Sequence, residues 1–571
     1  MNVINKFLIP ALALGMFAAC SDDNKFEGPE TPDNESSVTM SISVQLPTAG
    51  SRATNIGNPD TEAGSVAECT VNNLIIVLAD KDFGFIDYAD ATINPTNNSV
   101  IKCDASFSIS TISNYLNSLS GTTDVTAFAC CNYSSEFASY LNSLTKNGKN
   151  TDWIDQFATV NSGAVNIDGK WNESIKSNIP MSNKAVFVKA LPAANSLSQY
   201  TKDTPFELSS ESNPIEVERS VARLDFKDGS KLGNYTYNIY SDDDNSKINV
   251  VLERIGLVNM SNRYYYLRHT APNGASTTVA DLTKKTILDE TMPWIVDVDA
   301  DEKSKYSGNS VSANFLFPVT GTNGAPGRNL WFSTAITDFS KAENDNDSWT
   351  GEADYKVWRY VTENTIPVAN LQKNGQSTGI VFKAKFTFEG TTGIGKKLAD
   401  AKTAGKPILF FQGSQIVPLG TIDDILADNS ELHKSYKEIL TAAIKDKTAG
   451  TPEYKKAIVD AGFIIYEPAE GGESALGTDD TKGEYYMYYY YWNRHNDNGK
   501  LNVMDAMEFG VVRNTIYKLK VTDISGLGHP RKPENDPDPQ QPEDPDEEGN
   551  IAISIAVKAV DWSVRENGIE F

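Results

Sequence analysis

Few stretches of this 571-residue chain group side chains that could do chemistry. Arg494-His495-Asn496-Asp497 brings together a base, an acid and a guanidinium, the types used for proton transfer. It follows six tyrosines and a tryptophan between Tyr485 and Trp492, so a hydrogen-bonding loop at a strand end is expected instead. Gly390-Thr-Thr-Gly-Ile-Gly395 has the look of a phosphate loop, but Lys396 is followed by Lys397 and not by Ser or Thr. Asp242-Asp-Asp-Asn-Ser246 could hold calcium in a turn, yet lacks the glycine and distal glutamate of an EF-hand. Five cysteines, Cys20, Cys69, Cys103, Cys130 and Cys131, form no C-x-x-C pair, and only four histidines could join them. Vicinal Cys130 and Cys131 would face opposite sides of a strand, so at least one fills the core. A disulfide among Cys69, Cys103 and that pair stays open. No catalytic constellation, metal site or cofactor site emerges.

The chemistry that does emerge is processing. Lys6, the apolar run Phe7–Phe17, Ala18, Ala19 and Cys20 resemble a lipoprotein signal peptide, residues 1–19, with the Cys20 thiol as lipid acceptor. The apolar run is too short to span a bilayer. An ordinary cleaved signal is the alternative. Ser21-Asp22-Asp23 resembles the acidic tag that routes Bacteroidetes lipoproteins to the cell surface.

Around these points the elements read as strands. Val38, Met40, Ile42, Val44 and Leu46 alternate with polar residues, the period-two pattern of a half-buried strand, and a loop containing Arg52-Ala53 follows. Further strands are expected at 74–78, 125–130, 185–189, 215–226, 250–258, 380–388 and 408–411, and helices at 111–119 and 422–447. The pattern predicts an all-β-dominated chain built as sandwiches, with a few short helices. Length favours more than one domain. The net charge of −25 argues against nucleic acid.

Pro533–Asn550 holds five prolines and eight acidic residues, which predicts a stiff, extended spacer. Beyond it, Ile551, Ile553, Ile555 and Val557 share one phase, and Val560, Trp562 and Val564 the other, so a bulge is expected near Lys558–Ala559. An apolar strand beyond a solvated spacer is an aggregation hazard unless it folds back on its own domain or pairs elsewhere. If the first strand leaves after cleavage at Arg52, its vacated groove could accept a neighbour's last strand. That arrangement makes a polymer subunit.

At this point the chain resembles the Mfa-type major subunits of Bacteroidales fimbriae, the fimbrillins of type V pili. Beyond the lipoprotein start and the Arg52 loop, the resemblance runs through Val217-Glu-Arg-Ser-Val-Ala-Arg223, Tyr360-Val-Thr-Glu-Asn364, Ser377-Thr378 and Gly483 to His495. It continues through Val512-Arg513-Asn514 with Tyr517, the Asp-Pro spacer, Trp562 and Ile569-Glu570-Phe571. It implies two tandem transthyretin-like β-sandwich domains, here 53–228 and 229–532, after a propeptide at 20–52 and before a spacer at 533–550 and a donor strand at 551–571. It also implies lipidation (palmitate) at Cys20, cleavage between Arg52 and Ala53 by an arginine-specific protease, and C-terminal strand exchange. The implied partners are identical subunits head to tail, anchor and tip subunits and the protease; the membrane is met only through the precursor's lipid at the outer membrane. The alternative is a tip adhesin or glycan-binding surface lipoprotein using the Tyr485–Trp492 aromatics.

Overall fold

The computed structural model describes residues 37–563 apart from 48–60, 66, 95–98, 161–174, 272–285, 290, 293, 301–313, 317–332, 340–354, 367, 474–478, 497, 501–502, 532–542 and 548–551. Strands dominate the described residues, as the alternating patterns predict.

The alternating segment forms the first strand, Ser37–Gln45. One edge pairs antiparallel with Val100–Ser108, from Ser37 opposite Ser108 to Gln45 opposite Val100. The other edge runs parallel to Phe206–Glu207 and Ile215–Arg219. From Ile215–Arg219 the ladder passes through Met181–Asn183, Asp124–Cys131, Leu74–Ala79 and Phe85–Asn94 back to Val100–Ser108. The first strand therefore closes a ring. Its five apolar residues, each no more than 4% exposed, pack against Leu74, Ile76 and Leu78. Ile75 and Val77 face the other way, into a second cluster with Phe128 and Trp153. Cys131 and Cys130 fall in the first and second clusters respectively, so both fill core. Cys69, Cys103, Cys130 and Cys131 form no disulfide among the described residues.

The expected continuous strand 215–226 divides at Ser220. Ile215–Arg219 stays in the ring, and Val221–Lys227 enters a second sheet ordered Thr61–Ala63, Ile553–Ser563, Thr515–Ile524, Val221–Lys227, Lys356–Thr362. A third sheet runs Thr236–Ser241, Lys247–Val258, Gly379–Glu389, Tyr486–Trp492, His529–Pro530. These two sheets share one apolar core, with Phe226, Val361 and Leu519 from one and Ile255, Phe382 and Tyr488 from the other.

The helix expected at 111–119 spans Ile109–Asn117, with Ser108 Oγ accepting from the Thr111 N–H at 3.4 Å. The helix expected at 422–447 is instead two, Ile422–Ala427 and Lys434–Ile444. Asp428 accounts for the break. Its carboxylate takes the Ser430 N–H at 2.8 Å and lies 2.8 Å from His433 Nδ1, a local turn that competes with the helix. Leu432, expected on the apolar face, is 79% exposed in consequence. Helices at Ser135–Ser143, Gly393–Thr403 and Pro452–Asp460 were not anticipated. The glycine run 390–395 serves the second of these: a Cβ on Gly395 would stand 2.1 Å from the Glu389 carbonyl oxygen. Close backbone approach accounts for that glycine without a phosphate.

Candidate functional site

The first strand sits in a slot with two hydrogen-bonding walls. Beyond the ladder itself, the Thr39 N–H donates to the Tyr200 carbonyl at 2.9 Å, and the Leu208 N–H to the Ser41 carbonyl at 2.9 Å. Ser209 Oγ both accepts from the Ser43 N–H and donates to the Ser43 carbonyl, each at 2.9 Å. Burying five large apolar side chains contributes roughly 7–15 kcal/mol before entropy. An empty slot would bare backbone donors and acceptors along both walls, together with the apolar floor.

The last strand, Ile553–Ser563, lies on its own chain. It pairs antiparallel with Thr515–Ile524, from Ile553 opposite Ile524 to Asp561 opposite Thr515, and parallel with Thr61–Ala63 on its other edge. The expected bulge at Lys558–Ala559 is absent, and pairing is continuous there. The irregularity lies in the partner, between Val521 and Asp523. A regular strand then puts Ile553, Ile555 and Val557 on one face. Ile553 is buried, while Ile555 and Val557 are half-buried. Cys20, Arg52, Ala53, Ile551 and Val564 lie outside the described residues.

The spacer departs from its expected solvated form at Glu543–Glu547, which is docked. Pro545 bridges to Lys373; the Asn374 N–H donates to the Asp544 carbonyl at 3.0 Å and the Asp546 N–H to the Gln372 carbonyl at 3.3 Å. Lys373 Nζ meets Glu543 at 2.9 Å, and Arg494 meets Glu547 at 3.0 Å and Glu508 at 2.6 Å. Ser377 Oγ donates to Asp546, whose carboxyl burial pushes up to about 8 against the opposing pull of Ser377 and Arg494. Composition concealed this docking, because eight acidic residues in eighteen read as mutual repulsion. Of its partners, Ser377 and Arg494 fell in stretches that the sequence singled out, and Gln372, Lys373 and Asn374 did not.

A separate set of buried ion pairs was also missed by sequence reasoning. Arg223 bonds Glu68 at 2.9 and 3.0 Å and grips Asp225 through two 2.8 Å bonds; Tyr360 OH donates to Glu68 at 2.6 Å. Burial raises the Glu68 carboxyl, but Arg223, Tyr360 and Arg219 outweigh it and hold the group below its ordinary range. Arg268 pairs with Glu218 at 2.9 Å and Arg513 with Glu363 at 2.9 Å. His495 Nδ1 lies 2.9 Å from Tyr517 OH, and burial lowers its pKa to about 4, so it stays neutral and structural, as its loop context predicts. Sequence reasoning also missed that Gly375-Gln-Ser377-Thr-Gly379 has nucleophile-elbow spacing. It leads into the strand Gly379–Glu389 instead of from a strand into a helix, and the fully buried Ser377 hydroxyl is spent on Asp546.

The model of the family described as "Major fimbrial subunit protein type IV, Fimbrillin, C-terminal" matches residues 483–568, which hold the aromatic strand, the docked spacer and the last strand. This stretch is similar to a fimbrillin C-terminal region. No curated protein matches the chain. Among solved structures, the chain is similar to a candidate cell adhesion protein from Parabacteroides distasonis (13% identity, 94% and 99% of the two chains covered, TM-score 0.38). It is also similar to a fimbrilin from Porphyromonas gingivalis W83 (11%, 94% and 100%, 0.35). A third is the tip fimbrial protein Mfa3 of Porphyromonas gingivalis (9%, 92% and 100%, 0.31).

Proposed function

We propose that the chain is a structural, non-enzymatic shaft subunit of a cell-surface fimbria. It is exported as a lipoprotein through Cys20, held at the outer membrane until cleavage between Arg52 and Ala53, and then polymerised head to tail. Two tandem transthyretin-like sandwiches form its body, expected as 53–228 and 229–532, with the sheets changing over at Ser220. The last strand of one subunit enters the slot that the first strand vacates in the next. Anchor and tip subunits would complete the fibre, and the fibre would support adhesion.

The observation that carries this reading is the seating of the first strand. It is the closing member of a ring, bonded on both edges, and it precedes the Arg52 loop. The ring closes through this strand alone, so one cut plus departure leaves a single groove of the right length for an alternating apolar strand. The test is N-terminal sequencing and unheated gel electrophoresis of surface protein, with and without residues 551–571. A start at Ala53 and a heat-sensitive ladder that disappears on truncation are expected. Normal fibres from the truncated chain would end the proposal.

A further inference from the structure

A cleft of about 730 Å³ lies between the aromatic strand and the docked C-terminal segment. Its lining includes Tyr490, Tyr491 and Trp492 of the aromatic strand, Asp546 and Glu547, and the start of the last strand. Its volume lies within the range of about 300–1,000 Å³ common for small-molecule sites. Three oxygens of its lining residues have no hydrogen-bond partner: Asn374 Oδ1, Asp546 Oδ1 and Glu547 Oε2. The residues that bear them are 2%, 9% and 7% exposed. The bridge between Lys373 and Pro545 sets Asn374 and Asp546 on one face of the short ladder, where strand geometry keeps neighbours within side-chain reach. A buried polar group without a partner is unfavourable, so a partner entering from the cleft is favoured.

From this we infer that the cleft binds a neutral sugar, with ring faces against the aromatic strand and hydroxyls on Asn374, Asp546 and Glu547. Hydroxyls both donate and accept, so they satisfy an amide oxygen, a carboxylate and a protonated carboxyl alike. A metal ion fits less well. Arg494, 3.0 Å from Glu547, places a fixed positive charge beside the oxygens, and burial favours the protonated form of Asp546. Among the described residues, no group of three or more His, Cys, Asp or Glu gathers for a metal. The inference needs the C-terminal segment in its docked position, so it describes the subunit whose last strand is still seated on its own chain.

The test titrates the purified full chain separately with glucose, galactose, mannose and N-acetylglucosamine, read by saturation-transfer NMR and intrinsic fluorescence. Saturable binding of at least one sugar is expected, weakened about tenfold or more by Asn374→Ala. Asp546→Leu, which removes the carboxyl oxygens at nearly the same size, serves as a second variant should the first fail to fold. Both are checked by circular dichroism beside a control at exposed Val503→Ser. No saturable response to any of the four sugars overturns the inference, as does undiminished binding by a folded variant. Saturable binding of calcium chloride without a sugar response also overturns it and assigns the oxygens to a cation.

Discussion

Raising the pH should loosen the C-terminal segment. Asp546 is buried and its carboxyl is pushed up to about 8, against about 3.9 for a free aspartate. The docked state therefore binds this proton more tightly than the undocked state. Docking is at full strength below about pH 4 and weakens as pH rises through about 8, by about 1.4 kcal/mol per unit within that window. Between pH 5 and pH 7 the loss is about 2.7 kcal/mol, roughly a hundredfold in the opening equilibrium. The charges around it are Arg494 with Glu547 and Glu508, and Lys373 with Glu543. The Asp546→Asn variant separates the contribution of Asp546 from that of these charges. The assay is amide hydrogen exchange at Asn374 and Asp546, whose N–H groups bond across the docking contact, corrected for the intrinsic pH dependence of exchange. Asp546→Asn keeps an acceptor for Ser377 and cannot lose a proton, so its corrected protection should be flat with pH. A flat profile in the unaltered chain, or an equal slope in Asp546→Asn, would refute the reasoning.

Removing one member of the buried ion system should be severe. Arg223→Ala leaves Glu68 and Asp225 buried without their cation, and a loss of about 3–5 kcal/mol is expected in denaturant unfolding. Ile42→Ala empties a site 2% exposed in the slot and should lower stability by about 2–5 kcal/mol, read the same way. A chain beginning at Ala53 should bind a synthetic peptide of residues 37–47 saturably, by fluorescence anisotropy, and a peptide with Ile42→Asp should not. Gly379→Ala places a Cβ 2.5 Å from the Trp492 ring and should cost about 1–3 kcal/mol in thermal or denaturant unfolding.

How much was legible depended on how local the cause was. The first strand could be read because alternation and burial share the period of two, and its five apolar residues all point into one cluster. The opposite facing of Cys130 and Cys131 followed from the same geometry. The break at Asp428 was missed because a single side-chain turn overrode helical periodicity. The division at Ser220 was missed because the apolar run 215–226 continues through it while its pairing partners change. The docked spacer and the ion system were out of reach in a different way. Glu68 and Arg223 are 155 residues apart, and Ser377 and Asp546 are 169 apart. The motif stretches around Arg223, Tyr360, Glu363 and Arg513 were visible in sequence, but why those residue types recur there became clear only once they met.

On the proposed reading, the fold also says what must drive assembly. Both ends of the chain are satisfied within one molecule: the first strand fills the slot and the last strand lies along Thr515–Ile524. Exchange then replaces one seated strand with another, and the backbone bonds gained nearly cancel those lost. Two differences remain. Ile555 and Val557 are half-buried where they lie, whereas the slot holds its five apolar side chains no more than 4% exposed, so a strand that moves there gains apolar burial. The covalent link is the second. While the first strand is tethered through the Arg52 loop, its effective concentration at the slot is on the order of millimolar, which a neighbour's strand cannot match in dilute solution. Cutting the loop turns that tethered competitor into a free peptide that is diluted away once it leaves. Proteolysis would thus supply direction to an exchange that hydrogen bonding alone leaves close to balance, and the last strand's own docking, through Asp546, Glu547 and Arg494, would set how readily the donor end is released.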